Sequence, residues 1–165
     1  MKYFLAFTIL FLSLSIASGQ GYNQAAGIRV SWHSPGLEYR YYTSDVNAFK
    51  SLLSFRDRGL QLHGFAEFFR YDLFPFSHQL LFYYGFGAHA GFESWDEEEY
   101  RDEVLWYDTR SSFLAGLDGL AGLEYVFYEI PVTAGFEIKP FIDFFGRDGF
   151  DIKAFDLALT IKYLF

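Results

Sequence analysis

Apolar and polar residues alternate with a period of two along most of this chain. The last eleven residues show it most cleanly. Phe155, Leu157, Leu159, Ile161, Tyr163 and Phe165 form one set; Asp156, Ala158, Thr160, Lys162 and Leu164 form the other. A period of two puts the sets on opposite faces of a strand. One face is wholly apolar or aromatic, the other small or polar apart from Leu164. A soluble sheet has no particular reason to end this way. The closing strand of an outer-membrane barrel does, because it alternates lipid and lumen and carries an interfacial aromatic belt.

The same alternation predicts seven more strands. Residues 27–33 set Ile28, Val30 and Trp32 against Arg29, Ser31 and His33, and Ser34-Pro35-Gly36 breaks the run. Residues 37–42 alternate again before a polar turn at 43–48. A weaker strand with a broken period covers 49–56, and 57–59 is a short turn. Residues 60–70 follow, with Phe65, Phe68 and Phe69 spread over both faces. Residues 71–77 form a connection in which Pro75 excludes a central strand position. Residues 78–93 set Phe82, Tyr84, Phe86 and Phe92 against Tyr83, His89, Glu93 and three glycines, which suits the limited room inside a small barrel. Residues 94–110 are acidic, lack the period and read as the longest connection. Strands at 111–127, 132–144 and 155–165 complete the set, with turns at 128–131 and 145–149. Reading 27–42 as one long strand kinked at Pro35 is the alternative, and it leaves the barrel incomplete.

Eight is an even number, so the expected fold is all-β, an eight-stranded antiparallel transmembrane up-and-down β-barrel over residues 20–165. With both termini in the periplasm, parity places 34–36, 57–59, 94–110 and 145–149 outside. The longest connection therefore falls on the outside unforced. On this register Arg29, Glu38, Arg40, Glu93, Asp118, Glu124, Glu137, Lys139, Asp143, Asp156 and Lys162 point inward. Eight strands leave an interior that side chains can fill, so these charges read as a packed ion-pair network. A secreted β-sandwich is the soluble alternative, with the apolar faces meeting each other and the charges facing water.

Composition sharpens this picture. Aromatics make up 23% of 165 residues, with 22 Phe and 13 Tyr. Mean hydropathy is nevertheless only +0.07. Alternation produces that combination; helical spans, which need runs of ~20 apolar residues, do not. Residues 1–19 read as a signal peptide: Lys2 is basic, Tyr3 to Ile16 is apolar, and Ala17-Ser18-Gly19 is small. Cleavage falls before Gln20, or after Ala17 in the alternative. The net charge of −8 with no basic stripe argues against nucleic acid as a partner. The chain has no cysteine, so disulfides and thiolate metal sites are excluded.

Candidate chemistry is sparse. His33, His63, His78 and His89 show no metal-ligand spacing. His33 and His89 are expected to face inward as hydrogen-bonded lumen residues. No serine–histidine–acid set is visible. Asp96, Glu97, Glu98, Glu99, Asp102 and Glu103 read as a solvated loop, or as oxygen ligands for a divalent cation bridging lipopolysaccharide phosphates. Trp95, Trp106 and Tyr107 beside them suit an interfacial belt.

Several segments carry a family resemblance. They are Tyr83-Tyr-Gly-x-Gly-Ala-His89, Gly116-Leu-Asp-Gly-Leu-Ala-Gly-Leu-Glu-Tyr125, Glu129-Ile-Pro131, Glu137-Ile-Lys-Pro140 and the closing Leu159-Thr-Ile-Lys-Tyr-Leu-Phe165. Across most of 27–165 the chain resembles small bacterial outer-membrane β-barrel proteins of the outer membrane protein X-like and opacity-protein-like type. The resemblance implies insertion by the barrel assembly machinery, which reads the terminal strand ending in Phe165. It implies no activity. Some barrels of this size modify lipid A, and the deacylase pattern carries His-x-Ser on one strand face. None of the four histidines here has a serine two residues later. The expectation is a monomeric outer-membrane protein with a structural or surface-interaction role. Its partners are outer-membrane lipids and lipopolysaccharide, and it has no catalytic residue, cofactor or metal. The alternatives are a lipid A- or phospholipid-modifying enzyme and a narrow pore.

Overall fold

The computed structural model describes residues 22–56, 59–101, 104–146, 149–153 and 155–165. The signal peptide expected at 1–19 lies outside the described residues, as do parts of the expected turns at 57–59 and 145–149. The described chain is all strand and turn. Its segments are β1 (Gln24–Ser31), β2 (Gly36–Ser44), β3 (Asn47–Arg56), β4 (Gly59–Arg70), β5 (Leu80–Arg101), β6 (Val104–Val126), β7 (Val132–Ile138), β8 (Phe141–Phe145), β9 (Asp151–Lys153) and β10 (Leu157–Leu164).

These ten segments make eight barrel strands. β7 and β8 are one strand interrupted at Lys139-Pro140, where proline has no N–H to give the ladder. The register carries through the break, since Ala121 faces Ile138 and Asp118 faces Phe141. β9 and β10 are likewise one strand. Lys153 faces Phe141 and Leu157 faces Ile138, so three residues of the last strand oppose two of its neighbour. That extra residue is a β-bulge, and it swaps the face of everything before it. Every neighbouring pair is antiparallel in sequence order, and β1 pairs with β10 to close the ring. Phe165 and Gln24 exchange both backbone hydrogen bonds at the seam, at 2.9 and 3.1 Å. Closure leaves the barrel wall without a free edge.

The polarity is that of the expected barrel. Inward residues of β10 are buried, while Leu157, Leu159, Ile161 and Tyr163 are exposed. On β5, Tyr83 is 0% exposed, whereas Phe86 and Phe92 are 64% and 62% exposed. Residues 27–42 form the two expected strands, paired as a hairpin, and the kinked alternative falls. Two expectations about the strands need correction. The strand at 49–56 is regular: Ala48, Lys50, Leu52 and Ser54 alternate inward without a break. Its period looked broken because apolar Leu52 faces the lumen while polar Ser51 faces out. The acidic stretch 94–110 is not a loop. β5 and β6 stay paired from Ser94–Ser111 out to Arg101–Val104. No third described strand reaches this ribbon, so neither face has to be apolar and the period of two disappears.

The two ends of the barrel differ. The end holding Gln24 and Phe165 carries the connections 45–46, 71–79 and 127–131. The opposite end carries 32–35, 57–58, 146–150 and the β5–β6 ribbon.

Candidate functional site

The interior is where the chemistry of this chain is concentrated. All eleven charged residues expected inward are buried. Five more polar side chains join them from strands whose inward set was not resolved in the sequence: Lys50, Ser54, Gln61, His63 and Glu67.

The middle of the lumen holds an ion-pair network. Arg40 forks onto both oxygens of Glu124 at 3.0 and 2.9 Å, and its Nε meets Glu67 at 2.5 Å. Its guanidinium carbon lies 5.0 Å from the ring centroids of both Phe69 and Tyr83, which stack on each other. Planarity and delocalisation suit arginine to this double role, which lysine does not fill. Lys50 reaches Glu137 at 2.5 Å and Glu38 at 3.1 Å. Lys162 reaches Glu124 at 2.8 Å and Glu38 at 3.1 Å. Arg29 bonds Glu137 and Asp156, each at 3.0 Å. The Tyr83 hydroxyl donates to Glu137 at 3.0 Å. The network thus takes a residue from β1, β2, β3, β4, β5, β6, β7 and β10, and cross-links every barrel strand.

Two glycines make room for it. A Cβ at Gly122 would sit 2.6 Å from Cζ of Tyr83, and one at Gly116 would sit 2.6 Å from Cε1 of His89. Beside the charges lies an apolar patch of Leu52, Phe65, Phe69, Leu81, Tyr83 and Leu120. Toward the terminal end the lumen opens into a cleft of about 630 Å³, with Tyr22, Tyr42, Tyr71, Glu124, Thr133 and Leu164 among its lining.

Nearer the opposite end lies a histidine cluster that sequence reasoning missed. His63 and His89 face each other across β4 and β5. Their Nδ1 atoms each lie 3.0 Å from the same oxygen, Oδ2 of Asp118 on β6. Nε2 of His63 lies 2.8 Å from the Ser54 hydroxyl, and Nε2 of His89 lies 2.9 Å from Asp143. Ser54, His63 and Asp118 therefore do form a serine–histidine–acid chain, which the linear sequence concealed. Ser54 and His63 are 9 residues apart, and His63 and Asp118 are 55 apart. Only the register of four strands brings them together. Ser54 is 0% exposed, so its hydroxyl is closed off from anything outside the barrel.

His33 does not join this cluster. β1 ends at Ser31, the chain turns, and Ser34 rather than His33 enters the lumen, where it bonds Arg29 and Asp156. The His33 side chain is 47% exposed and lies 3.9 Å from Asp156 at the rim. His78 is exposed beside Asp72 in the connection after β4. On the ribbon, Glu97 pairs with Arg110, and Thr109 donates to Asp96 at 3.1 Å. The side chains of 98–108 lie outside the described residues, and with them most of the expected acidic ligand set, Trp106 and Tyr107.

No protein-family model and no curated protein matches the chain. Among solved structures, the N-terminal β-barrel domain of Pseudomonas aeruginosa OprF is similar in fold. The TM-score is 0.51 at 15% identity, over 88% of this chain and 100% of that one. At that identity the likeness carries the barrel and no activity.

Proposed function

We propose that the chain is an integral outer-membrane β-barrel protein with a structural and surface-interaction role. The observation that carries this reading is the inverted polarity. The barrel packs its charges inside and leaves Ile28, Val30, Leu62, Phe86, Leu159 and Ile161 half or more exposed on the outside. Water penalises that arrangement, whereas a bilayer rewards it, and a closed barrel leaves no backbone group of its wall unpaired in lipid. The shorter strands, 8–12 residues in β1 to β4, match the ~9–11 needed to cross hydrocarbon at a tilt. In this setting the termini lie in the periplasm, and the β5–β6 ribbon stands among the lipopolysaccharide headgroups. The filled mid-lumen weighs against a pore. Heat-modifiable migration in SDS, together with recovery in the outer-membrane fraction, tests the reading. Recovery in the soluble periplasmic fraction would sink it.

The enzyme alternative gains the Ser54–His63–Asp118 chain. Against it, Ser54 lies inside the wall while lipid lies outside. Labelling of the folded barrel by a fluorophosphonate, blocked in Ser54→Ala, together with a lipid A mass profile altered by the gene, would favour the enzyme over the structural reading.

A further inference from the structure

We propose that His63, His89 and Asp118 form a binding site for one divalent transition-metal ion of the zinc type inside the barrel. A neutral imidazole has one N–H to donate and one lone pair. His89 faces a carboxylate oxygen from each ring nitrogen: Asp118 Oδ2 at 3.0 Å and Asp143 Oδ1 at 2.9 Å. One N–H serves only one of them. If Nε2–H of His89 goes to Asp143, and Nε2–H of His63 to Ser54 at 2.8 Å, both Nδ1 lone pairs converge on Asp118. Two imidazole lone pairs and a carboxylate oxygen then point at one another in a dry interior, which is repulsive unless something positive sits among them.

The geometry suits a metal ion in that place. The candidate ligand atoms of the three residues lie within 4.8 Å of one another. Two of the separations are 3.0 Å. Ligand atoms around a tetrahedral zinc, with bonds of about 2.0–2.1 Å, stand roughly 3.3 Å apart. The outer contacts also fit. Metal-bound histidines usually give their second N–H to a carboxylate or another oxygen, as His89 would to Asp143 and His63 to Ser54. Asp118 Oδ1 is buried and accepts no hydrogen bond, though it lies in a long ion pair with Lys139 Nζ, so a second metal contact there would have to displace the ammonium. Two imidazoles with a carboxylate select zinc, copper, nickel or iron over calcium and magnesium. All three residues sit on β4, β5 and β6, in the rigid wall, so the site is held by the ladder and not by a loop. The site lies wholly inside the barrel and needs no lipid around it.

One neighbour opposes the ion. Lys139 Nζ lies 3.7 Å from Asp118 Oδ1 and competes for that carboxylate. The lysine therefore sets the affinity. Lys139→Met is expected to tighten binding by at least ~tenfold, through loss of a like charge at short range.

The experiment uses the untagged chain without residues 1–19, refolded in detergent, stripped with chelator and titrated with Co²⁺ and then Zn²⁺. The expected result is one Co²⁺ per chain, with the visible absorption of a four- or five-coordinate site, bleached by stoichiometric Zn²⁺. Binding should survive His33→Gln with His78→Gln and disappear in His63→Gln and in His89→Gln. Each variant is first checked for heat-modifiable migration. X-ray absorption on the zinc-loaded wild type needs no variant, and should show outer-shell scattering from two imidazoles. A folded wild type that takes up no Co²⁺ at millimolar concentration would overturn the site, and protons would then hold Asp118 between the rings. Undiminished binding in folded His63→Gln, or a zinc spectrum without imidazole scattering, would overturn it equally.

Discussion

Glu137 receives a guanidinium from β1, an ammonium from β3 and a hydroxyl from β5, and is 0% exposed. Such a residue is worth little as a count of contacts. Its weight lies in what is left when it goes, because Arg29 and Lys50 would remain charged and dry. Glu137→Ala should cost about 3–5 kcal/mol, read from urea unfolding of the barrel refolded into vesicles. Replacement of the whole group by apolar residues of similar volume need not cost anything. A second residue-scale effect belongs to Gly122. Its missing Cβ is where the Tyr83 ring sits, and the wall beyond is the Phe136 carbonyl, 2.8 Å from a Cβ placed there. Gly122→Ala should therefore cost about 1–3 kcal/mol through overpacking. A shift below 0.5 kcal/mol in the same assay would mean that the ring moves freely. The glycine was visible in the sequence as an inward small residue. The ring that needs it was not, because Tyr83 meets Gly122 only through the β5–β6 register.

At the scale of the element, the two faces of β5 separate the lipid reading from a soluble one. Phe86 is exposed and touches no interior charge. In a soluble sheet Phe86→Arg would be nearly neutral, whereas facing the middle of a bilayer it should cost about 2–4 kcal/mol in vesicles. The same strand shows where periodicity stops being informative. Up to Phe92 it alternates because one side is lumen; beyond Ser94 only its hairpin partner holds it. The eight residues from Ser94 to Arg101 make roughly 25 Å of free-standing ribbon. Excising 96–109 and closing the ends with a short turn should leave heat-modifiable migration intact, because this ribbon gives the barrel wall no ladder partner. Loss of the folded band would show that the ribbon nucleates the barrel.

For the whole molecule, closure is the decisive event, and it occurs between the first and last strands. Seven residue pairs join β1 to β10, the contact with the greatest sequence separation in the fold. Phe165 sits at this seam, half-buried, its ring 6.4 Å from that of Tyr163. Deleting Phe165 removes two backbone bonds and an aromatic end, but none of the lumen network. If the residue serves assembly, its deletion should lower the outer-membrane yield in cells several-fold while the purified chain still refolds in detergent. Equal losses in cells and in detergent would reduce its role to stability.

The sequence by itself determined the fold class, the strand count and the inward face of eleven charges, though not of Lys50 and Glu67. All of these follow from a period of two, which one buried side per strand enforces locally. It also set the even parity that puts the longest hairpin opposite the termini. Only the tertiary structure decided which inward residues meet. Register is a relation between strands, so it is silent in any one of them. It brought Ser54, His63, His89, Asp118 and Asp143 together from β3, β4, β5, β6 and β8. It sent His33 to the rim, because a strand that ends two residues early takes its alternation with it. It made a paired ribbon out of a stretch with no period, since backbone pairing continues where no face needs burying.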